Sequence, residues 1–452
     1  MEGAEIVGPV QGQCVDFLQN AHIGHTDLAA GFQVPDWSRR RFDDRTNFGG
    51  TFYFSNLALY QAGRPYSFVQ QQGNGHVVLL EKVLGLYIKD DWKARPSLTL
   101  SFGARYDWEN YFHDNNNVAP RFSFAYAPGD GKRLVIRGGG GVFYDKTGPV
   151  PIADVLHFRP GGLQRVVMTN PGYPDPFQDG GSLASQPPSL VQFAPDIRIP
   201  YTVQYSLGVE RQVRKGTTLA VTYIGSRGED LFRSRDVNAP LPPLYLSRPD
   251  PELGAVRQIE SAAHRESNSL QATLRGKVTP RFSGQMQYTW SHAYDDTGGL
   301  SWYPANDYDL SGEWARADFD RRHRFQLLGR LSPGLVDLGV GVSAQSGPPY
   351  SELFGADIFN NGRGRARPPG VGRNSLEAAG SFSLDLRVSR DIPFGRRASG
   401  DRPAATIVLD AFNVTNRVNF VNYVGTVSSA LFGQPVSARS GRQLQLSLRA
   451  KF

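Results

Sequence analysis

The last eleven residues of the chain, Arg442–Phe452, alternate strictly between polar and apolar side chains. Successive side chains of a β-strand lie on opposite faces, so this alternation predicts a strand with one apolar and one polar face. A soluble sandwich would less often end on a bulky aromatic residue, because chain termini usually fray. A membrane barrel accounts for both faces, with lipid outside and water inside. The apolar face carries Leu444, Leu446, Leu448, Ala450 and Phe452.

The clearest strand pattern lies earlier in the chain, over residues 97–109. Leu98 and Phe102 lie on its apolar face, and Ser101 and Arg105 lie on its polar face. A tilted membrane strand needs about 9–11 residues, whereas a globular strand has about 5–6. Similar alternation occurs over 201–210, 270–275, 282–290 and 382–389, and in weaker form over 84–92, 118–127, 133–145, 217–226, 321–331, 335–346 and 404–415.

The connections between these segments alternate between short turns and long loops from residue 93 onwards. An up-and-down barrel has tight turns at one rim and long loops at the other, and a soluble sandwich has no reason to keep its long loops at one end. The short set, rich in turn-forming residues, is 93–96, 128–131, 214–216, 279–281 and 332–334, with 391–403 as a longer member. The long set is 146–199, 227–265, 294–320 and 347–380.

The number of predicted strands bears on whether the barrel can close. Counting back from Phe452 to the segment 84–92 gives about thirteen strands, an odd number, whereas a closed antiparallel barrel of this type has an even number. Residues 25–34 and 49–54 are further strand candidates whose pairing stays open. We therefore expect the chain to lack strands at its N-terminal end. We also expect either an open sheet or a closure of the last strand onto residues 20–60.

The composition, the net charge and the cysteine count argue against several other classes of protein. The most apolar run, 77–88, is interrupted by Glu81 and Lys82, so no helical membrane span is predicted. The net charge of +7 is spread along the chain, which does not indicate a nucleic-acid partner. The single cysteine, Cys14, excludes an intrachain disulfide. Residues 1–7 show neither the basic nor the apolar region of a signal peptide, although an outer-membrane protein needs one.

Several segments, in order along the chain, resemble TonB-dependent outer-membrane receptors. The strand–turn–strand of Gly85–Trp92 and Leu98–Tyr106 looks like one that is common in that superfamily. The final strand, with Leu444, Leu446, Leu448 and Phe452, resembles the assembly signal of outer-membrane proteins. Other segments look like the Oar-like branch: Val118–Tyr126, Ile136–Asp145, Tyr223–Gly228, Tyr288–Ser291, Asp320–Phe325, Ala344–Gly347, Asp410–Asn416 and Asn419–Phe420.

The resemblance implies a fold and a place in the cell. We predict an all-β fold, an antiparallel transmembrane β-barrel that is an N-terminally truncated part of a 22-stranded barrel without its plug. Residues 1–452 would form this partial receptor-like barrel, with the plug and a carboxypeptidase-regulatory-like domain absent. The implied location is the outer membrane of a Gram-negative bacterium. The implied partners are outer-membrane lipid and lipopolysaccharide, the barrel-assembly machinery, an unknown ligand, and the TonB complex through the missing N-terminal parts.

Three functions are compatible with this interpretation. The first is a TonB-dependent, Oar-like transporter that takes up a ligand across the outer membrane. The second is a structural or adhesive outer-membrane barrel whose extracellular loops bind surfaces or partners without transport. The third, a soluble secreted all-β enzyme or carbohydrate-binding module, is less compatible because the chain shows no propeller-like repeat of about 40–50 residues. We expect no enzyme activity, no catalytic residue and no cofactor.

Five local patterns suggest binding sites, and each is weighed against a structural explanation. Gly138–Gly141 lacks the Gly-Lys-Ser/Thr and helix of a phosphate loop, so we expect a barrel strand. Asp295 and Asp296 open a long loop, where a calcium site is the less favoured alternative. His323 has no second ligand at metal-binding spacing, so no metal site is predicted. The basic segments Arg39–Arg41 and Asn360–Arg367 are interpreted as a solvated turn and a solvated loop, with phosphate or acidic-ligand binding as the alternative.

Overall fold

The computed structural model describes residues 15–129, 133–159, 161–178, 187–277, 279–393 and 404–451. Cys14 and Phe452 lie outside these ranges, so the predicted place of Phe452 on the last strand stays a prediction. Within them, a seventeen-stranded sheet dominates and three small sheets accompany it. The prediction of an all-β fold built on antiparallel strands is confirmed.

Two of the seventeen strands are short and lie at one rim, and the other fifteen form one antiparallel ladder in chain order. The ladder strands are β1 (Val15–Ile23), β2 (Thr26–Asp43), β5 (His76–Arg95), β6 (Leu98–Glu109), β7 (Val118–Tyr126), β8 (Leu134–Tyr144), β11 (Tyr201–Arg214), β12 (Thr217–Asp236), β13 (Val256–Lys277), β14 (Phe282–Asp295), β16 (His323–Leu331), β17 (Asp337–Gln345), β20 (Ser381–Pro393), β21 (Ala404–Phe412) and β24 (Gln443–Lys451).

The remaining elements belong to the connections. Two of them, β10 (Leu190–Phe193) and β15 (Ala315–Arg316), join the large sheet at its rim. The others are β3 (Thr51–Tyr53), α1 (Leu57–Gln61), β4 (Ser67–Gly73), α2 (Val150–His157), β9 (Leu163–Thr169), β18 (Pro349–Tyr350), β19 (Leu376–Glu377), β22 (Phe420–Tyr423) and β23 (Pro435–Ala438). In the part of the chain that the structure describes, neither helix is long and apolar enough to cross a membrane.

The ladder contains the predicted strands and leaves its two ends unpaired. Counted from β5, which includes the predicted segment 84–92, it has thirteen strands, as the sequence predicts. The candidate at 25–34 is part of β2, whereas the one at 49–54 contains β3, which pairs with β4 outside the ladder. Within the described ranges, β1 pairs only with β2 and β24 pairs only with β21. The described sheet is therefore open, which is one of the two predicted outcomes.

Short turns and long loops alternate along the whole ladder, so all long connections leave from one edge of the sheet, here called the loop rim. The strands at this rim are longer than predicted: β12 continues to Asp236 and β13 begins at Val256, within the predicted loop 227–265. Ion pairs hold the extensions, such as that between the half-buried Arg235 and the buried Glu260 at 2.7 Å. Their side chains lack the apolar–polar alternation that lipid imposes, so the sequence pattern misses them.

The two faces of the ladder differ in polarity. One face, here called the outer face, exposes large apolar side chains: Leu86 and Ile88 are 52% exposed, and Leu446 is 74% exposed. Leu444 and Leu448 are exposed in the same way on β24. The opposite, inner face is polar and lines a groove of about 760 Å³ that extends from Gln33 on β2 to Gln204 on β11. Such an extensive apolar surface is stable only when it is covered, and lipid covers it in a membrane barrel.

Glycines Gly138–Gly141 lie within β8, which pairs with β7 and β11. A Cβ atom at Gly138 would press on the Phe124 ring, and one at Gly141 would press on Arg121. These glycines therefore allow the neighbouring side chains to lie across the strand. The structural explanation of the run is confirmed: the four glycines lie inside the strand, and α2 begins only at Val150, so no helix N-terminus adjoins them as in a phosphate loop.

The connections at the loop rim fold over the inner face and build their own apolar core. Leu79 on β5, Phe112, Ile152 and Ala153 on α2, and Ile199 are buried together. A second cluster joins Phe158, Leu163, Val191 and Ile259. A further three-stranded sheet, β3–β4–β9, joins two of the long connections. The loops are thus packed against the barrel strands, which fixes the positions of the polar side chains they carry.

The assignment of faces predicts unequal effects for two adjacent substitutions in β6. Phe102 is exposed on the outer face beside Phe122, and the inner-face Ser101 hydroxyl donates to Asp91 at 2.5 Å. Phe102→Arg should lower the free energy of unfolding by about 2–4 kcal/mol, the cost of a cation on the lipid face near the midplane. Ser101→Arg, the matched control, should cost much less. Guanidinium unfolding in lipid vesicles measures both, and equal losses would contradict the assignment.

Candidate functional site

The packed loops enclose a cavity of about 830 Å³, here called the loop cavity. Its walls come from five separate parts of the chain: the β3–β4 region, residues between Phe158 and Val191, the start of β13, the loop that carries Tyr303 and the loop that carries Arg363. A cavity of this size is within the range of about 300–1,000 Å³ that is usual for small-molecule sites. The β3–β4–β9 sheet, strand β13 and ion-paired loop residues hold these walls, so the cavity is largely preformed.

Three arginines line the loop cavity. The Arg257 guanidinium is buried, pairs with Asp154 at 2.8 Å and donates to the Ser234 hydroxyl at 2.8 Å. Arg363 pairs with the buried Asp307. The third, Arg165, lies 4.5 Å from the centre of the Phe158 ring and forms no ion pair with any described residue. None of the described residues that line the cavity is acidic, so its walls are electropositive.

Tyr303 brings a hydroxyl group close to these cations. Burial raises the pKa of its phenol, and the charges of Arg257, Arg363 and Arg165 oppose that rise. The phenol therefore stays protonated at neutral pH and can donate a hydrogen bond. The Arg363 guanidinium stacks on the same ring, with its central carbon 4.2 Å from the ring centre.

Two residues that line the cavity each have a side-chain polar atom that is buried without a hydrogen-bond partner among the described residues. These atoms are Oε1 of Gln71 and Nε of Arg363. The amide nitrogen of Gln71 is held by the Thr46 carbonyl at 3.1 Å, which fixes the position of its free oxygen. Buried polar atoms are rarely left unsatisfied, because each costs about 1–3 kcal/mol. A bound ligand or water would satisfy both.

Gly362 shows how closely the loops approach in this region. It has a φ of +78° and lines the cavity. A Cβ atom at this position would collide with the Val167 side chain on β9. Glycine therefore lets the loop that carries Arg363 approach the β3–β4–β9 sheet.

The basic segment Asn360–Arg367 is not the solvated loop that the sequence predicts. Arg363 pairs with Asp307, and Arg367 pairs with Glu313 at 2.8 Å. The Arg365 guanidinium lies 4.3 Å from the centre of the Trp302 ring, and burial lowers its pKa. These partners all belong to the connection between β14 and β16, more than fifty residues away. A local sequence pattern cannot show such partners, which is why this prediction was wrong.

Both carboxylates of the Asp295–Asp296 pair form ion pairs with arginines. Asp295 pairs with the fully buried Arg373, which also donates to the Asp295 carbonyl at 2.6 Å. Asp296 lies 3.6 Å from the Arg233 guanidinium. His323 accepts or donates a 2.7 Å hydrogen bond with the Tyr288 hydroxyl. Across the described ranges, no group of three or more His, Cys, Asp or Glu residues could hold a metal ion.

The outer membrane beta barrel domain family matches residues 18–117 and 109–331, well over half of the chain. The chain belongs to this family. Its strand ladder, apolar outer face and polar inner face are those of a barrel in the outer membrane, so the prediction of an outer-membrane location is confirmed. No curated protein matches the chain in sequence.

Solved structures of outer-membrane receptors share the fold. The outer membrane transporter YddB from Escherichia coli is 14% identical, with a TM-score of 0.61 over 96% of this chain and 53% of that chain. A mutant of the ferric enterobactin receptor PfeA from Pseudomonas aeruginosa is 12% identical, with a TM-score of 0.55 over 96% and 52%. P. aeruginosa FpvA bound to heterologous pyoverdines is 12% identical, with a TM-score of 0.53 over 96% and 47%. The chain thus spans about half the length of these structures.

Asn361, Gly362 and Arg363 belong to the basic segment for which acidic-ligand binding was the alternative, and the other residues that line the loop cavity were not identified from the sequence. Arg165 lies on β9, Arg257 at the start of β13 and Tyr303 in the connection between β14 and β16, and only the folded chain brings them together. The one available signal was the clustering of arginines in long loops. The residues predicted as the assembly signal, Leu444, Leu446 and Leu448, lie on the outer face and do not line the cavity, and their role in assembly stays a prediction.

The buried pair of Arg373 and Asp295 should hold the loops together. Arg373→Met should destabilise the protein by about 3–5 kcal/mol, because it leaves the Asp295 carboxylate buried without its main partner. Denaturant unfolding in vesicles and trypsin cleavage of the loops measure the effect. The control is the double variant Arg373→Met/Asp295→Leu, which should recover most of the loss. A single variant as stable and as protease-resistant as the parent would show that the pair does not hold the loops.

Proposed function

We propose that this chain is the barrel of a TonB-dependent transporter of the Oar-like branch and takes up a ligand across the outer membrane. The loop cavity would be the site that captures the ligand. The observation that carries this proposal is the cavity itself, a preformed electropositive site at the loop rim of an outer-membrane barrel. The likeness to YddB, PfeA and FpvA concerns the fold and supports a transport-type barrel.

The lining of the cavity favours an anionic ligand. Arg257 and Arg363 already have carboxylate partners, whereas Arg165 has none among the described residues. A planar guanidinium binds carboxylate or phosphate groups through two parallel hydrogen bonds. Tyr303 and the free Nε of Arg363 would add donors, and the free Gln71 oxygen would accept from a hydroxyl or amide on the same ligand.

Capture and passage make or break no covalent bond. We therefore expect no catalytic residue and no cofactor. The proposed partners are lipid and lipopolysaccharide around the barrel, the assembly machinery that recognises the last strand, and the TonB complex as the source of energy.

An adhesive barrel is the second candidate, and one observation favours it. Leu244 and Leu246 are 74% and 76% exposed in the connection between β12 and β13. Exposed apolar residues at a loop tip are common at protein contact sites. An adhesive function would need these leucines and would not need the loop cavity.

The test of uptake compares spent culture media of the natural host. Strains with the gene, without it, and without the TonB complex are grown in the same medium and profiled by mass spectrometry. We expect at least one anionic compound to be depleted by the first strain alone, and complementation to restore its depletion. Identical profiles, or differences that persist without the TonB complex, would favour the adhesive barrel.

A binding experiment tests the cavity directly. Citrate and tripolyphosphate serve as polyanionic probes, and the fluorescence of tryptophan, including Trp302 beside Arg365, reports binding. Arg165→Ala should weaken binding about tenfold or more, the usual effect of losing one charged hydrogen-bond partner. The matched control is Arg64→Ala, an exposed loop arginine outside the cavity. Equal affinity of both variants would remove Arg165 from the site.

A further inference from the structure

Three cations project from the outer face of the barrel near the loop rim. Strands β2 and β5 have 18 and 20 residues, more than the 9–11 or so that cross a membrane, so their ends at the loop rim extend beyond the lipid. In this extension Trp37 lies opposite Lys82 in the strand register, and Arg39 lies opposite Leu80. Arg41 follows on the same face opposite Val78. The segment Arg39–Arg41 is therefore part of a strand, and its interpretation as a solvated turn was wrong.

The inward and outward arginines of this segment differ in their partners. Arg40 points inward and forms ion pairs with Glu81, at 2.9 Å, and with Asp36. The outward Arg39 and Arg41 form no ion pair and no side-chain hydrogen bond with any described residue. The Lys82 ammonium lies 4.7 Å from the centre of the Trp37 ring and likewise has no carboxylate partner in the described part of the chain.

Few negative charges on this face could neutralise the three cations. The next outward residue on β2, Asp43, pairs with Arg45 at 3.1 Å. Outward residues on the neighbouring strand are Val78, Leu80 and Lys82, none of which is acidic. A cluster of unpaired cations on an outward-facing surface favours an anion that comes from the surroundings of the barrel.

Below the cations the same face carries an apolar groove of about 550 Å³. Its lining comes from β2, β5 and β6, with Val118 on β7. Lys82 and Leu86 are four residues apart on β5, which corresponds to about 13 Å along a strand. The groove residues that matter here are Ala30, Phe32, Leu86, Ile88, Ala104 and Tyr106.

We propose that Arg39, Arg41 and Lys82 bind the phosphate groups of lipopolysaccharide, with an acyl chain of the same molecule in the groove beneath them. The arrangement has the two parts that such a lipid needs, in the right order: cations above the membrane and an apolar groove within it. Trp37, 53% exposed beside Lys82, lies at the boundary, where aromatic side chains of barrel proteins are commonly found. This site depends on the outer-membrane location and not on the proposed uptake function.

The test measures binding of lipid A to the protein purified from outer membranes, stripped of lipid and held in detergent micelles. The affinity of Arg39→Ala/Arg41→Ala for lipid A should fall at least about tenfold, because two charge-assisted contacts are lost. Arg39→Lys/Arg41→Lys should retain part of the affinity, since the charge remains. Heat-modifiable gel migration shows that each variant is folded.

The matched control is Arg211→Ala. Arg211 is an exposed outward arginine on β11 at the opposite rim, without a partner among the described residues. Its removal should leave the binding of lipid A unchanged. Dephosphorylated lipid A should bind the parent protein as weakly as intact lipid A binds the double alanine variant.

Three results would overturn the proposal. If the double alanine variant binds lipid A like the parent, the arginines do not form the site. If dephosphorylated lipid A binds as tightly as lipid A, only the groove binds lipid. If inorganic phosphate or tripolyphosphate binds the parent as tightly as lipid A and displaces it, the cations hold a soluble anion instead of a lipid.

Discussion

The pairing of backbone amides and carbonyls between neighbouring strands is the constraint on which the structure depends. In a bilayer an unpaired backbone group costs several kcal/mol, so strands that cross it must be joined in a continuous ladder. Once the ladder exists, the two-residue period of each strand decides the rest. One face must be apolar against lipid, and the other can be polar. The apolar residues Leu86, Phe102 and Leu446 lie on the same face for this reason, and the glycines of β8 are tolerated because the ladder holds their backbone in place.

At the loop rim the same strands continue beyond the lipid, and different forces act. The connections bury an apolar core around Phe112 and Ile152, and they bury charges as well. A buried charge is costly unless it is paired, and the buried or half-buried arginines Arg257, Arg363, Arg365 and Arg373 each have a carboxylate or an aromatic ring as partner. The pairs of Arg373 with Asp295 and of Arg363 with Asp307 join connections that are far apart in sequence. The result is a packed layer over the inner face, with a cavity whose cations are only partly neutralised.

The sequence predicted the structure best in the membrane-spanning strands, where contact with lipid restricts which side chains can occur. Alternation located the strands that cross the membrane, and turn residues located the short connections. The pattern failed where lipid no longer acts: Val77–Val83, the end of β12 and the start of β13 are strands that the sequence does not distinguish from loops. The loop cavity could not be predicted as a site, because Arg165, Arg257 and Arg363 are far apart in sequence and meet only in the folded chain. The basic loop around Arg365 was misjudged for the same reason, since Trp302 and Glu313 cover it from another loop.

The central claim is that the ladder spans the membrane with alternate residues facing lipid and lumen. Spin labels at each successive position of β6, in a Cys14→Ser background, test it most directly. The protein is reconstituted in lipid vesicles, and collisions with lipid-soluble oxygen and a water-soluble nickel chelate are compared by electron paramagnetic resonance. The account predicts a period of two, with oxygen favoured at 98, 100, 102 and 104 and the nickel chelate favoured at the positions between them. Equal accessibility to the nickel chelate at all positions would contradict it.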